Sequence, residues 1–94
     1  MTIHLNLAAF CGTDTLGQRA QARPLRQHLE HLLQVGQTIH CDFSSVEVMT
    51  SAFMDECFGK LWDTQNRDVL RQHMTIHNLT GNNRIIWRFV LAHR

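Results

Sequence analysis

Thr-Ile-His occurs three times in this 94-residue chain, in "TIHLNL", "TIHCDF" and "MTIHNL", which sets His4, His40 and His77 at intervals of 36 and 37 residues. Each triplet lies in a segment where apolar and polar residues alternate, the period of a half-buried strand. Ile3, Leu5 and Leu7 alternate with His4 and Asn6, and Ile39, Cys41 and Phe43 alternate with His40 and Asp42. Between the strands the period lengthens. From Leu16 onward, Leu25, Leu29, Leu32 and Leu33 fall at helical spacing, and Gly36 is placed as a C-cap. Pro24 predicts a kink, or the first turn of the better half of that helix. A second helix is predicted from Thr50 to about Asp63. Phe53, Met54, Cys57, Phe58, Leu61 and Trp62 lie on one half of it, and Asp55, Glu56, Gly59, Lys60 and Asp63 on the other. A last helix follows "TGNN", with Asn82 or Asn83 as N-cap. Its predicted buried face is Ile85, Ile86, Phe89 and Val90.

Strands alternating with helices imply an α/β fold with a small, mainly parallel sheet of three or four strands and about three helices, in the order β-α-β-α-β-α. Outside the triplets the three units share no similarity, so their recurrence follows from the architecture. Residues 1–94 read as a single domain, since about 100 residues is an ordinary domain size.

Composition excludes several classes. A formal net charge of +1 with no charged run argues against a nucleic-acid binder, although Arg84, Arg88 and Arg94 gather late in the chain. No apolar stretch approaches the ~20 residues that span a bilayer, and Met1–Phe10 has no basic n-region of a signal peptide. Cys11, Cys41 and Cys57, odd in number and without CxxC spacing, read as reduced thiols of a cytoplasmic protein.

The histidines raise a metal-binding alternative. On adjacent strands in register, His4, His40 and His77 would sit about 4.8 Å apart, and three imidazoles can hold zinc with a fourth position open. Asp42 shares a face with His40, but His4 and His77 lack a comparable orienting group. The residues favour a polar or partner-facing histidine row. His28 and His31, at i, i+3 among polar neighbours, read as a solvated helix face. Catalytic patterns are absent: no Gly-rich phosphate loop, no GxSxG serine, and a Cys57 that lies on an apolar stripe. The expectation is a protein that is not an enzyme and needs no cofactor.

The densest stretch is "CDFSSVEVMTSAFMDECFGKL". A strand ends in Asp42-Phe43, and a short loop leads to a helix start at Thr50-Ser51, where free backbone N–H groups and a partial positive charge are presented. Asp55 and Glu56 complement that dipole.

Asp42, Phe43, Val46, Thr50, Ser51, Phe53, Asp55, Glu56, Phe58, Gly59, Lys60 and Leu61 together resemble the STAS-like domains, relatives of the STAS domains of bacterial anti-sigma-factor antagonists. The upstream "GQRAQARPLRQHL" is similar to that family's first helix. The resemblance implies a non-enzymatic regulatory domain that binds a protein through the second helix and the loop before it. The implied partner is a histidine-kinase-like ATPase or anti-sigma-type protein. It also implies a phospho-switch, with Ser51 on the phosphoacceptor position and Thr50 on the preceding aspartate of the antagonists' motif. Ala52 and Phe53 depart from that motif. Thr50, Ser51, Asp42, Asp55 and Glu56 are therefore the candidate binding and switch residues. Two other readings stand beside this one: the histidine metal site, and a stand-alone inhibitor or assembly protein that reuses the fold. Trp87, Leu91 and Arg88, off the predicted buried face of the last helix, form a candidate surface for a homodimer or a partner.

Overall fold

Three parallel strands in the order β1-β3-β5 form the central sheet of the computed structural model, which describes all 94 residues. They are the three Thr-Ile-His segments: β1 (Thr2–Asn6), β3 (Thr38–Asp42) and β5 (Met74–His77). β1 and β3 pair with their triplets aligned, His4 opposite His40. β5 is set two residues along, so that Thr75 faces His40 and His77 faces Asp42. A slip of one residue would turn the strand over, whereas a slip of two keeps each side chain on its face. Ile39 and Cys41 are therefore fully buried, with Ile3, Leu5, Met74 and Ile76 half-buried beside them. The opposite face carries all three histidines, with His4 and His77 exposed.

The connections hold the helices. α2 (Arg19–Gln34) crosses from the first strand region to β3. A helix over residues 51–64, α3, and then α4 (Arg67–His73) lead from β3 to β5, and α5 (Gly81–Ala92) follows β5. The α/β, mainly parallel design is as the sequence implies, but five helices stand where about three were expected, and a second small sheet is present. The additional helices are α4 and α1 (Leu7–Cys11), the latter a short helix where strand and loop were predicted. Asn6 ends β1 because its side chain accepts the Ala9 N–H at 2.9 Å, so Leu7 turns into a helix instead of extending the strand. β2 (Thr15–Leu16) and β4 (Val48–Met49) pair in parallel as a second, two-stranded sheet. Leu16 is thus a strand residue, and α2 begins at Arg19, with the Gln21 side chain accepting the N–H groups of Gly17 and Gln18. α2 runs through Pro24, which sits past its first turn.

The buried apolar residues make one cluster, which draws Leu25, Leu29 and Leu33 from α2 together with Phe53, Met54, Cys57, Phe58 and Leu61 from α3. α3 is irregular: Ser51–Met54 is α-helical, Asp55–Gly59 forms a π turn, and Lys60–Thr64 returns to α geometry. The wider π turn admits an extra residue and shifts the helical phase. As a result Glu56, Cys57, Phe58 and Gly59 are all buried.

α5 corrects the expectation made for the last helix. Its inward face is Asn83 and Val90, with Ile86, Trp87 and Leu91 half-buried against the core. Ile85 and Phe89 are 64% and 57% exposed. Thr80, not Asn82 or Asn83, precedes the first turn. The Asn83 side chain instead accepts the Met49 N–H at 3.0 Å and donates to the Val46 carbonyl at 3.1 Å, tying α5 to the β4 region.

Candidate functional site at the start of the third helix

Thr50 is the residue that shapes the site. Its hydroxyl oxygen accepts the Phe53 N–H at 3.2 Å and its hydroxyl donates to the Gly17 carbonyl at 2.8 Å. One side chain thus caps α3 and fastens it to the segment before α2. With the cap supplied by Thr50, Ser51 becomes the first helical residue and stands exposed. Ser51 and Ala52 line a shallow cavity of 250 Å3 together with Arg19, Asp55, Phe89 and Arg94. The exposed ring of Phe89 makes the apolar side of this surface, and the two guanidiniums make the basic side.

Asp55 and Glu56, placed by the sequence on the polar half of the helix and among the candidate binding residues, are both engaged in ion pairs. Asp55 accepts hydrogen bonds from Arg19 at 2.7 Å and from Arg94 at 2.5 Å. These contacts, that with Arg19 foremost, hold its carboxyl below the ordinary range. Glu56 is only 2% exposed. It bonds Arg26 at 2.6 Å and Lys60 at 3.1 Å, and Arg19 and Arg23 lie at 3.5 and 3.7 Å. The Arg26 bond, then the Lys60 bond, lowers its pKa to about 2. The π turn rotates Glu56 inward, and Arg26, which also donates to the Glu56 carbonyl at 2.7 Å, is the reason it can remain charged there. Gly59 belongs to the same arrangement, since a Cβ at this position would collide with the Arg94 guanidinium.

Asp42 belongs to a different place. It accepts from the Asn78 side chain and from the Ser44 N–H, both at 2.9 Å, and these bonds, that with Asn78 foremost, lower its pKa. It lines a cavity of 530 Å3 with the three histidines on the opposite face of the sheet, away from Ser51. The His4 and His40 rings stack at 4.9 Å, as do those of His40 and His77. The strands are adjacent, and β1 and β3 are in register, but β5 is set two residues along, so the condition on which a metal site depended is met only in part. Near-parallel rings set their nitrogens side by side rather than around a common point, and His40 Nδ1 and His77 Nε2 bond each other at 2.7 Å. No group of three His, Cys, Asp or Glu side chains is arranged to hold a metal ion.

Trp87 is not a free surface anchor. Its ring meets Phe43 edge-on and packs on Phe58 at 4.9 Å between centroids. Leu91 also packs against the core, while Arg88 is exposed. The thiols are packing groups: burial raises Cys41 to about 12, pushes Cys57 up strongly and raises half-buried Cys11. Sequence reasoning missed Arg19, Arg94 and Phe89 at the site. Arg19, Arg23 and Arg26, at i, i+4, i+7 on α2, were the available signal, a basic stripe that needs an acidic counterpart.

An all-parallel sheet built from strand–helix units, with an exposed serine opening the helix after its central strand, defines a small α/β domain of STAS-like design. The chain belongs to the family described as STAS-like domain of unknown function (DUF4325), whose model matches residues 21–84. The match takes in α2 from Gln21 onward, all of α3 and the first turn of α5. A search of curated proteins found no match, and neither did a search of solved structures. No helix is long and apolar enough to cross a membrane.

Proposed function

We propose that this domain is a non-enzymatic regulatory module that binds another protein through the start of α3 and the loop before it, and that phosphorylation of Ser51 switches the binding. The observation that carries this reading is the division of labour between Thr50 and Ser51. Thr50 supplies the cap, so the Ser51 hydroxyl is not committed to holding the helix and stands at the surface beside Phe89. A phosphate there would add roughly −1.5 to −2 charges at a helix N-terminus, which favours anions. The repulsion expected from Asp55 is blunted, because Arg19 and Arg94 already neutralise that carboxylate. The same guanidiniums are within the cavity that a phosphoserine would enter. The kind of partner this reading favours is a histidine-kinase-like ATPase, which would both bind the site and supply the phosphoryl group.

The test is the affinity of the isolated partner for three forms of the domain. Ser51→Ala should bind as the wild type does, and Ser51→Glu should bind at least about tenfold more weakly, a loss of ~1.4 kcal/mol. Equal affinity of all three forms would contradict the reading.

Self-association is a second reading, favoured by the exposure of both Ile85 and Phe89 on one side of α5. It predicts a mass by light scattering that rises with concentration and returns to the monomer in Phe89→Asp. A concentration-independent monomer mass would overturn it.

A further inference from the structure

Cations in this chain are almost all engaged. Arg19, Arg23, Arg26, Lys60, Arg71 and Arg94 each face a carboxylate, and Arg67 lies over the Trp62 ring at 5.6 Å. Arg84 and Arg88 have neither kind of partner. They stand four residues apart on α5, hence on one side of it, with Trp87 next to them. All three line a shallow, open cavity of 460 Å3 together with Ile76, Asn78, Leu79 and Thr80.

The local charge balance makes the pair conspicuous. No Asp or Glu occurs from Val69 to Arg94, although the whole chain has a net charge of only +1. Neither β5, nor the turn after it, nor α5 can therefore supply a counter-charge. Like charges four apart destabilise a helix, and Arg84 also lies near the end of α5 where a cation opposes the dipole. A bound anion would relieve both. The rim is held in place: Asn78, at φ 61°, turns the chain out of β5, and its side chain is fixed on Asp42 at 2.9 Å. The cavity also lies beyond the C-terminal end of a parallel strand, where open α/β sheets meet their ligands.

We infer that this cavity binds the phosphate group of a small phosphorylated molecule. Arg84 and Arg88 hold the phosphate oxygens, and Trp87, Ile76 and Leu79 bear on the rest of the ligand. A carboxylate has two oxygens, which one guanidinium fork satisfies, whereas a phosphate dianion has the charge and the additional oxygens for two. Ser51 plays no part in this site, so the phosphate reading and the partner reading fail separately.

The experiment uses Trp62→Phe, which leaves Trp87 as the one tryptophan of the full chain. Its fluorescence is followed while inorganic phosphate, and separately AMP, is added at low ionic strength. A saturable change is expected, weakened roughly tenfold or more by Arg84→Ala or Arg88→Ala and lost in the double variant. Tighter binding of AMP than of phosphate is expected, because Trp87, Ile76 and Leu79 bear on the rest of the ligand, and equal binding would overturn that part of the inference and leave free phosphate as the ligand. Both arginines are exposed, so the double variant should melt no lower than its parent, which separates loss of binding from loss of fold. No saturable change with either probe, or the same change in the double variant, would overturn the inference.

Discussion

Thr50 and Ser51 are adjacent hydroxyl residues with different work. Thr50 holds the helix, so Thr50→Ala should cost about 1 kcal/mol of unfolding free energy, read from urea melts. Ser51→Ala should stay within ~0.5 kcal/mol, as expected of an exposed residue that is not the cap. Equal losses would mean that the two share the cap. Glu56 gives a second residue-scale prediction. Its folded pKa, about 2, lies below the ordinary carboxylate value of 4.5. Its contribution is therefore complete above the ordinary range and disappears as pH falls through about 2. Melting temperature measured between pH 6 and pH 2 should fall less steeply in Glu56→Gln than in the wild type, and the variant should be the less stable at pH 6. Parallel curves would show that the buried charge is not what Arg26 and Lys60 hold. A helix start at Thr50-Ser51 was readable from the local pattern, but not which of the two hydroxyls supplies the cap. The burial of Glu56 was not readable either, because the arginine that makes it tolerable lies 30 residues earlier in the chain.

The last helix shows how an element can be found and still be turned the wrong way. Its existence and approximate length follow from "NNRIIWRFVLA". Reading Ile85, Ile86, Phe89 and Val90 as its inner face assumes that the most apolar arc is the buried one. The observed arc is Asn83, Ile86, Trp87, Val90 and Leu91, an i, i+3, i+4, i+7, i+8 series whose first member is polar. What sets the phase is the demand of the Met49 N–H and the Val46 carbonyl for partners, which Asn83 meets. Asn83→Leu should thus cost about 1–3 kcal/mol despite its greater hydrophobicity, because it leaves buried backbone groups unpaired. Trp87→Ala should cost about 3 kcal/mol, and Phe89→Ala less than ~0.5 kcal/mol. Thermal or denaturant melts of the three variants check the order. A Phe89→Ala loss as large as that of Trp87→Ala would restore the other phase.

At the scale of the molecule, the strand–helix order and the parallel sheet were legible because they rest on periodicity, which each segment carries by itself. The two-residue offset of β5, the small second sheet and the helix at Leu7 were not, since pairing partners and single caps set them. The candidate site was legible as far as the capped helix start. Its basic and apolar flanks come from the far ends of the chain: Arg19, Phe89 and Arg94. Asp42, assigned to the same site from its position in the motif, faces the histidine side of the sheet instead. The fold therefore presents two faces, one built around Ser51 and the other around the stacked histidines. Partner recognition is proposed for the Ser51 face. The most direct test is quantitative capture by the tagged domain from its host, with wild type, Ser51→Ala, Ser51→Glu and Phe89→Asp compared side by side by mass spectrometry. One partner should be retained by wild type and Ser51→Ala and lost from Ser51→Glu and Phe89→Asp. The same partner recovered equally by all four forms would contradict the account, because binding would then lie elsewhere on the molecule.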